Sequence, residues 1–176
     1  MAKLIPYILI LSFSLFSFFG TAVAEEMELP PYKGSQPFES MKSLAGHWEG
    51  AKVSSGKEEQ VKVEYKVSSN GSTIVETLFP GTQHEMVTVY YDKGGQLSMT
   101  HYCAIGNQPK MDLVKAEGKV LEFTLANSEE IDVDKEGHMH GLTLTMVDNN
   151  HLNHNWTLYQ NGKEGGTTTM TLARVE

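Results

Sequence analysis

Residues 61–79, VKVEYKVSSNGSTIVETLF, contain the pattern on which the fold prediction rests. Apolar and charged residues alternate over 61–67, which indicates a strand with one buried face and one solvated face. Asn70-Gly71 follows, and this pair is the strongest short sequence signal for a hairpin turn. Residues 72–79 then form the returning strand, so the stretch predicts an antiparallel hairpin.

The same alternation, interrupted by turn residues, continues along the rest of the chain. The expected strands are 48–53, 61–67, 72–79, 84–91, 96–104, 111–116, 119–126, 138–147, 151–159 and 167–175, with 131–133 as a weak strand or a turn. No long crossover separates them, so the sheet is expected to be antiparallel and up-and-down. Closure would remove the two exposed edges that such a sheet has when open. The prediction is an all-β chain that forms a closed antiparallel barrel of about ten strands.

A short helix is expected before the first strand. Pro37 suits a first helical turn, and Gly46 ends the segment. Phe38, Met41 and Leu44 fall on one face of the helix between them. A helix of this length is not stable alone, so its apolar face should pack on the barrel.

The first residues have the three parts of a secretory signal. Lys3 supplies a positive charge, residues 4–19 are uncharged and apolar, and Ala22-Val23-Ala24 is a small-residue cleavage site. The apolar run is shorter than the roughly 20 residues that cross a bilayer, which favours cleavage over retention. The mature protein is therefore expected in the periplasm or outside the cell. The domain prediction is a signal peptide at 1–24, a mobile leader at 25–35 and one barrel domain at 36–176.

Charge and cysteine content narrow the classes of partner. The chain has 14 Lys and Arg against 22 Asp and Glu, a net charge of −8 with neutral histidines. No basic face is visible, which argues against nucleic acid and anionic lipid as partners. Cys103 is the only cysteine, so the core must hold the domain without an internal disulfide. A small molecule is the expected partner, no membrane-spanning segment is expected after cleavage, and the oligomeric state stays open.

The strand expected over 96–104 carries the main candidates for a binding site. Its alternation places Met99, His101 and Cys103 on the face that also holds Leu97, and that face is expected to point inward. A barrel of this size is wide enough to hold a small molecule, and a few polar groups in an apolar pocket would orient it. The candidate ligand-binding residues are His101, Cys103, Met99, His84, His140, His154 and Trp156.

Other roles for these residues stay open at this point. His101 can be a core histidine bonded to a neighbouring strand, and Cys103 can be a small buried hydrophobe. The alternative function is a hydrolase or isomerase that uses His101 and Cys103 in the pocket, although no orienting acid is visible. A zinc site would need three or four ligands in tetrahedral geometry, and the scattered histidines do not show one. A solid barrel that acts within a complex is the third alternative, and no catalytic or metal-binding residue is assigned.

A short helix, then Gly46-His47-Trp48, then an up-and-down run of strands resembles the calycin superfamily. That group includes lipocalins, fatty-acid-binding proteins and nitrobindin-like haem proteins. In it, a Gly-x-Trp motif opens the first strand, and an Arg on the last strand packs over the Trp and closes the barrel base. Trp48 and Arg174 match these two positions. The resemblance implies a lipocalin-like barrel that binds an apolar or amphipathic ligand, and haem is the one cofactor that it brings into consideration.

Overall fold

The computed structural model describes residues 29–126 and 130–176. The predicted signal peptide, residues 1–24, lies outside the described residues, as does the beginning of the predicted leader. Within the described ranges, no helix has the length and apolarity that a bilayer crossing requires.

The described residues form a closed antiparallel barrel of ten strands preceded by one short α-helix. Helix α1 spans Gln36–Met41 and continues into a 3-10 helix at Lys42–Leu44. The strands are β1 Gly46–Ser54, β2 Lys57–Ser68, β3 Thr73–Leu78, β4 Met86–Lys93, β5 Gln96–Tyr102, β6 Lys110–Glu117, β7 Val120–Leu125, β8 His138–Met146, β9 His151–Gln160 and β10 Lys163–Val175. Each strand pairs with its sequence neighbour, and β1 pairs with β10 to close the barrel. The predicted fold class is confirmed.

One expected element starts later than predicted. Residues 131–133, expected as a weak strand or a turn, form no strand, and β7 and β8 pair directly with each other. Strand β4 begins at Met86, so the residues from Pro80 to Glu85 belong to the turn between β3 and β4. The Pro80-Gly81 pair makes this turn longer than the strand pattern alone predicts.

The hairpin of β2 and β3 shows why the Asn-Gly signal is informative. Its turn is a 3-10 helix at Ser69–Gly71, in which Asn70 has φ 51° and Gly71 has φ 85°. These are the positive-φ conformations that asparagine and glycine adopt at the lowest steric cost. The turn fixes the register in which Tyr65 pairs with Glu76, and that register decides which side chains meet inside the barrel.

Barrel closure rests on a contact between the first and last strands. Trp48 on β1 and Arg174 on β10 are register partners, and the Arg174 guanidinium carbon lies 4.3 Å from the centroid of the Trp48 ring. The guanidinium also donates hydrogen bonds to the carbonyl oxygens of Ala45, Ser43 and Asn149 at 2.8, 2.7 and 3.0 Å. Arg174 therefore ties the last strand to the segment after α1 and to the turn between β8 and β9.

Helix α1 covers the end of the barrel at which β1 starts. Phe38, Met41 and Leu44 are buried and belong to the same apolar core as Trp48, as the helical spacing predicts. Ser35 caps the helix, since its hydroxyl oxygen accepts from the Phe38 N–H, and it also donates that hydroxyl to Asp92 at 2.8 Å. This cap fixes the helix to the end of β4.

The residues immediately before α1 make contacts that the expectation of a mobile leader does not include. The Tyr32 N–H donates to the Asn70 carbonyl oxygen at 2.8 Å, and the Asn70 side chain donates to the Pro30 carbonyl oxygen at 2.9 Å. Lys42 donates to the Tyr32 carbonyl oxygen at 2.9 Å. From Leu29 onward, the described part of this segment therefore runs along the turn between β2 and β3.

Removal of the Arg174 guanidinium tests its role in closure. Arg174→Met should lower the free energy of unfolding by about 2–4 kcal/mol, because it removes a stacked cation and three charge-assisted hydrogen bonds. Urea denaturation measures the change. Lys163→Met, which removes an exposed cation from the same strand, is the matched control and should change stability by less than about 0.5 kcal/mol. Equal effects of the two substitutions would show that Arg174 has no special role.

Candidate functional site

A pocket of about 200 Å³ lies at the end of the barrel opposite α1. Because β1 starts beside α1 and the strands run up and down, the turns after β1, β3 and β5 surround this opposite end. Most of the pocket wall is apolar and includes Leu78, Phe79, Met86, Ile105, Met139 and Met170. His101, Cys103 and Trp156 also line it, so three of the predicted binding residues meet here.

His101 presents one ring nitrogen that has no partner. Thr88 on β4 is its register partner, and the Thr88 hydroxyl lies 2.9 Å from His101 Nδ1. The side chain is 1% exposed, and Nε2 has no hydrogen-bond partner among the described residues. Burial lowers the pKa of His101 from 6.5 to about 4, against an opposing effect of the Glu76 carboxylate. The imidazole is therefore neutral near pH 7.

Trp156 supplies a second buried polar atom without a partner. It lies on β9, is 1% exposed, and its Nε1 has no hydrogen-bond partner in the described part of the chain. Its ring centroid lies 4.7 Å from that of His101, with 41° between the ring planes. Trp48 offers a contrast, because its Nε1 donates to the Leu44 carbonyl oxygen at 2.8 Å. Strands that are not neighbours thus bring two unpaired polar groups into one apolar pocket.

Cys103 lines the same pocket but makes no catalytic pair with His101. Its thiol is half-buried and lies 3.9 Å from the Met86 sulfur. No hydrogen bond joins the Cys103 and His101 side chains within residues 29–126 and 130–176, and His101 Nδ1 is occupied by Thr88. The described structure therefore shows no base–nucleophile contact between these two side chains.

Met99 and His84 do not line the pocket. Met99 is buried in the apolar core, where its register partners are Tyr90 and Met111, so it lies deeper in the barrel. His84 is exposed in the turn between β3 and β4, because β4 begins only at Met86. The expectation that both side chains contact a ligand in this pocket therefore finds no geometric support.

A β-bulge turns His140 away from the pocket. The register between β8 and β9 shifts between Met139 and Gly141, so Met139 takes the inward position that strict alternation gives to His140. The His140 ring stacks on Tyr159 with centroids 3.8 Å apart. Its Nδ1 lies 3.1 Å from Nε2 of His138. The predicted placement of His140 on the pocket wall is wrong for this reason.

A second polar group inside the barrel was not predicted from the sequence. Glu76 on β3 is fully buried, and both of its oxygens accept hydrogen bonds from tyrosine hydroxyls. Tyr65 donates to Oε1 at 2.8 Å, and Tyr90 donates to Oε2 at 2.9 Å. Burial and the adjacent carboxylate raise the pKa of both tyrosines, so their hydroxyls stay protonated and act as donors.

His154 belongs to this network and not to the pocket wall. Its Nε2 lies 2.9 Å from the Tyr65 hydroxyl, and its Nδ1 lies 3.6 Å from Glu76 Oε1. Because the single Tyr65 hydroxyl proton goes to Glu76, His154 donates through Nε2 to the tyrosine oxygen. Burial lowers the pKa of His154, with Glu76 opposing. His154 faces inward as predicted, but it lies two residues before Trp156 on β9 and therefore one inward-facing position deeper in the barrel.

The sequence did contain a signal for Glu76. Ile74, Glu76 and Leu78 alternate on β3, and all three are buried. Strict alternation therefore predicts an inward carboxylate.

The described residues and the size of the pocket bear on whether a metal ion or haem could be held. Within these residues, no group of three or more His, Cys, Asp or Glu side chains is placed to hold a metal ion. A haem macrocycle is at least drug-sized, and drug-sized ligands occupy pockets of roughly 300–1,000 Å³. The pocket beside His101 is about 200 Å³, which is below that range, so the residues present do not fit haem.

Comparisons with known proteins bear on the fold. No family model matches the chain, and no curated protein matches it. Among solved structures, the chain is similar to a protein of unknown function from the DUF3598 family of Nostoc punctiforme, with 11% identity and a TM-score of 0.52. The similarity covers 84% of this chain and 51% of the other, so the chain spans about half the length of that protein. At this identity, the likeness concerns the fold alone.

The lowered pKa of His101 predicts a pH dependence of stability. A histidine with a depressed folded-state pKa contributes fully above its unfolded value of 6.5, and the contribution is lost as the pH falls toward about 4. Between about pH 7 and pH 4.5 the loss is roughly 2–3 kcal/mol. His101→Asn keeps a partner for Thr88 but does not titrate. Between pH 7 and pH 4.5, its free energy of unfolding should therefore fall by roughly 2–3 kcal/mol less than that of the parent protein. Urea denaturation at both pH values measures this, with the exposed His84→Asn as control.

The Glu76 network predicts a cost for a neutral isostere. Glu76→Gln keeps the shape but replaces one acceptor oxygen by a donor, so one tyrosine hydroxyl loses its acceptor. The free energy of unfolding should fall by about 1–3 kcal/mol in urea denaturation. Glu58→Gln changes an exposed carboxylate on β2 and should shift stability by less than about 0.5 kcal/mol. A Glu76→Gln protein as stable as its parent would contradict the buried network.

Proposed function

We propose that the mature chain is an exported, calycin-like barrel that binds a small, mostly apolar molecule in the pocket beside His101 and Trp156. One observation carries the proposal: His101 and Trp156, each with a buried ring nitrogen that has no partner among the described residues, line a pocket whose wall is otherwise mainly apolar. Ligand sites in proteins have this composition, with a hydrophobic wall and a few convergent polar groups.

A purely structural role explains these two atoms poorly. An unsatisfied buried donor or acceptor costs about 1–3 kcal/mol, and a stable core avoids such groups. Deeper in the same barrel, the two Glu76 oxygens accept hydrogen bonds from the hydroxyls of Tyr65 and Tyr90. A ligand that pairs with His101 Nε2 and Trp156 Nε1 would recover the cost at the pocket. We therefore assign the Glu76 network to the stability of the fold, and His101 and Trp156 to ligand binding.

Two further features support an exported calycin-like protein. The charged start, the apolar run and Ala22-Val23-Ala24 match a cleavable signal, which favours a periplasmic or extracellular location. The contact of Arg174 with Trp48 has the form that the calycin resemblance implies for the barrel base. Lipocalin-like binding is accordingly the function class that we propose.

Blocking the pocket rim should weaken binding. Ala104 lines the pocket and is exposed, so Ala104→Trp can fill the entrance without disturbing the core. Acetophenone, titrated into the ¹⁵N-labelled mature protein, should give saturable amide shifts around the pocket. In Ala104→Trp the affinity for acetophenone, measured from the same shifts, should be at least about tenfold lower, which corresponds to about 1.4 kcal/mol. Ala116→Trp, at an exposed alanine on β6, is the control and should bind like the parent.

Isolation from the producing cell provides the second test. The mature protein, purified without denaturation, should show a native mass above that of the polypeptide, and the excess should disappear after Ala104→Trp. A native mass equal to the polypeptide, together with no saturable acetophenone binding, would overturn the proposed function. A Soret band in the visible spectrum would overturn the assignment of a small ligand in favour of haem.

A further inference from the structure

We infer that the ligand is a neutral, compact molecule that carries one hydrogen-bond-accepting oxygen on an apolar body of about one ring. The inference rests on the proposed function and specifies the ligand class for the same pocket. It follows from the hydrogen-bonding capacity of two side chains, from the position of the nearby charges and from the pocket volume.

The indole of Trp156 fixes the first requirement. An indole N–H donates and cannot accept, so its partner must be an acceptor atom. The group is 1% exposed and has no partner among the described residues. A hydrocarbon ligand would leave this donor unsatisfied, at a cost of about 1–3 kcal/mol. The pocket therefore favours a ligand with an acceptor over a hydrocarbon of equal shape.

His101 narrows the acceptor to oxygen. If the Thr88 hydroxyl donates to Nδ1, then Nε2 carries the proton and is a second donor; if Nδ1 donates, then Nε2 accepts. A carbonyl oxygen with two lone pairs accepts from both rings in the first case. An alcohol oxygen accepts from Trp156 and donates to His101 in the second. The ring centroids are 4.7 Å apart, and we assign a single ligand oxygen to both groups.

The charges near the pocket disfavour an anion. Lys52 is the one basic residue on the described pocket wall, and its ammonium lies 2.7 Å from the Glu59 carboxylate and 5.2 Å from the centroid of the Phe79 ring. The Glu76 carboxylate lies deeper in the barrel, close enough to act on His101. A buried ligand carboxylate would meet a neutral imidazole and a nearby negative charge, without a free cation. Burying an unpaired charge is costly, so a neutral ligand is preferred.

The volume sets the size of the apolar body. An apolar cavity of about 150 Å³ is large enough for benzene. The pocket is about 200 Å³, which leaves room for one ring and a short substituent. The sulfur atoms of Met86 and Cys103 lie on this wall, and soft thioether groups adapt to irregular apolar shapes.

Three probes of nearly equal shape separate the alternatives. Acetophenone carries the carbonyl, α-methylstyrene replaces that oxygen by CH₂, and benzoate adds a negative charge. Titration of the ¹⁵N-labelled mature protein should give acetophenone about a tenfold advantage over α-methylstyrene, which equals the gain of one satisfied buried hydrogen bond of about 1.4 kcal/mol. Benzoate should bind more weakly than either.

The two indole protons report the hydrogen bond directly. Acetophenone should move the Trp156 indole proton downfield, whereas the Trp48 indole proton, already bonded to Leu44, should stay in place. Trp156→Phe keeps an aromatic ring but removes the donor, so acetophenone should lose most of its advantage while α-methylstyrene binds about as before. Retained α-methylstyrene binding also shows that the variant is folded. If the variant does not fold, the shift of the Trp156 indole proton in the wild-type protein tests the hydrogen bond instead.

The outcomes distinguish the two proposals. If neither acetophenone nor α-methylstyrene binds, the proposed function fails. If both bind equally, or the Trp156 indole proton does not move, the pocket binds ligands but the acceptor requirement is wrong. If benzoate binds most tightly, the site selects anions and the inference is overturned.

Discussion

The pairing of β1 with β10 turns a sheet with two open edges into a barrel, and the other features of the molecule depend on it. An open sheet of this length would offer unpaired backbone groups to other chains. The sole cysteine cannot form an internal disulfide, so packing and hydrogen bonds must hold the closure. Trp48 and Arg174 supply both at the seam, since the guanidinium covers the indole and bonds three backbone carbonyl oxygens.

Closure also creates an interior in which every polar group must find a partner or remain unpaired. At the middle of the barrel, Glu76 is matched by Tyr65 and Tyr90, so its burial is compatible with a stable core. One position higher on β9, the indole of Trp156 faces His101 without such a match. The deep network also contains one unpaired nitrogen, His154 Nδ1, which lies 3.6 Å from Glu76 Oε1. What sets His101 and Trp156 apart is that both of them line the mainly apolar pocket.

Alternation predicted most of the strands because one face of a barrel wall is buried and the other is solvated. The Asn70-Gly71 turn was also predicted from its sequence. The inward direction of His101 and Trp156 follows from the same rule. His140 was misplaced because a β-bulge inserts one residue without any change in composition, and the pattern of apolar residues does not mark it. Glu76 was missed for a different reason: its position was predictable, but its partners come from other strands, and only the three-dimensional register brings them together.

The Trp48–Arg174 contact and the pocket lie at opposite ends of the barrel. Helix α1, Trp48 and Arg174 occupy one end, and the turns after β3 and β5 border the pocket at the other. The buried Glu76 network lies between them and separates the two regions physically. The seam itself reaches both ends, because Ser54 on β1 and Thr168 on β10 line the pocket and the Thr168 hydroxyl donates to the Ser54 hydroxyl at 3.1 Å. The Trp48–Arg174 contact is thus remote from the pocket, whereas the Ser54–Thr168 hydrogen bond ties closure of the barrel to the pocket wall.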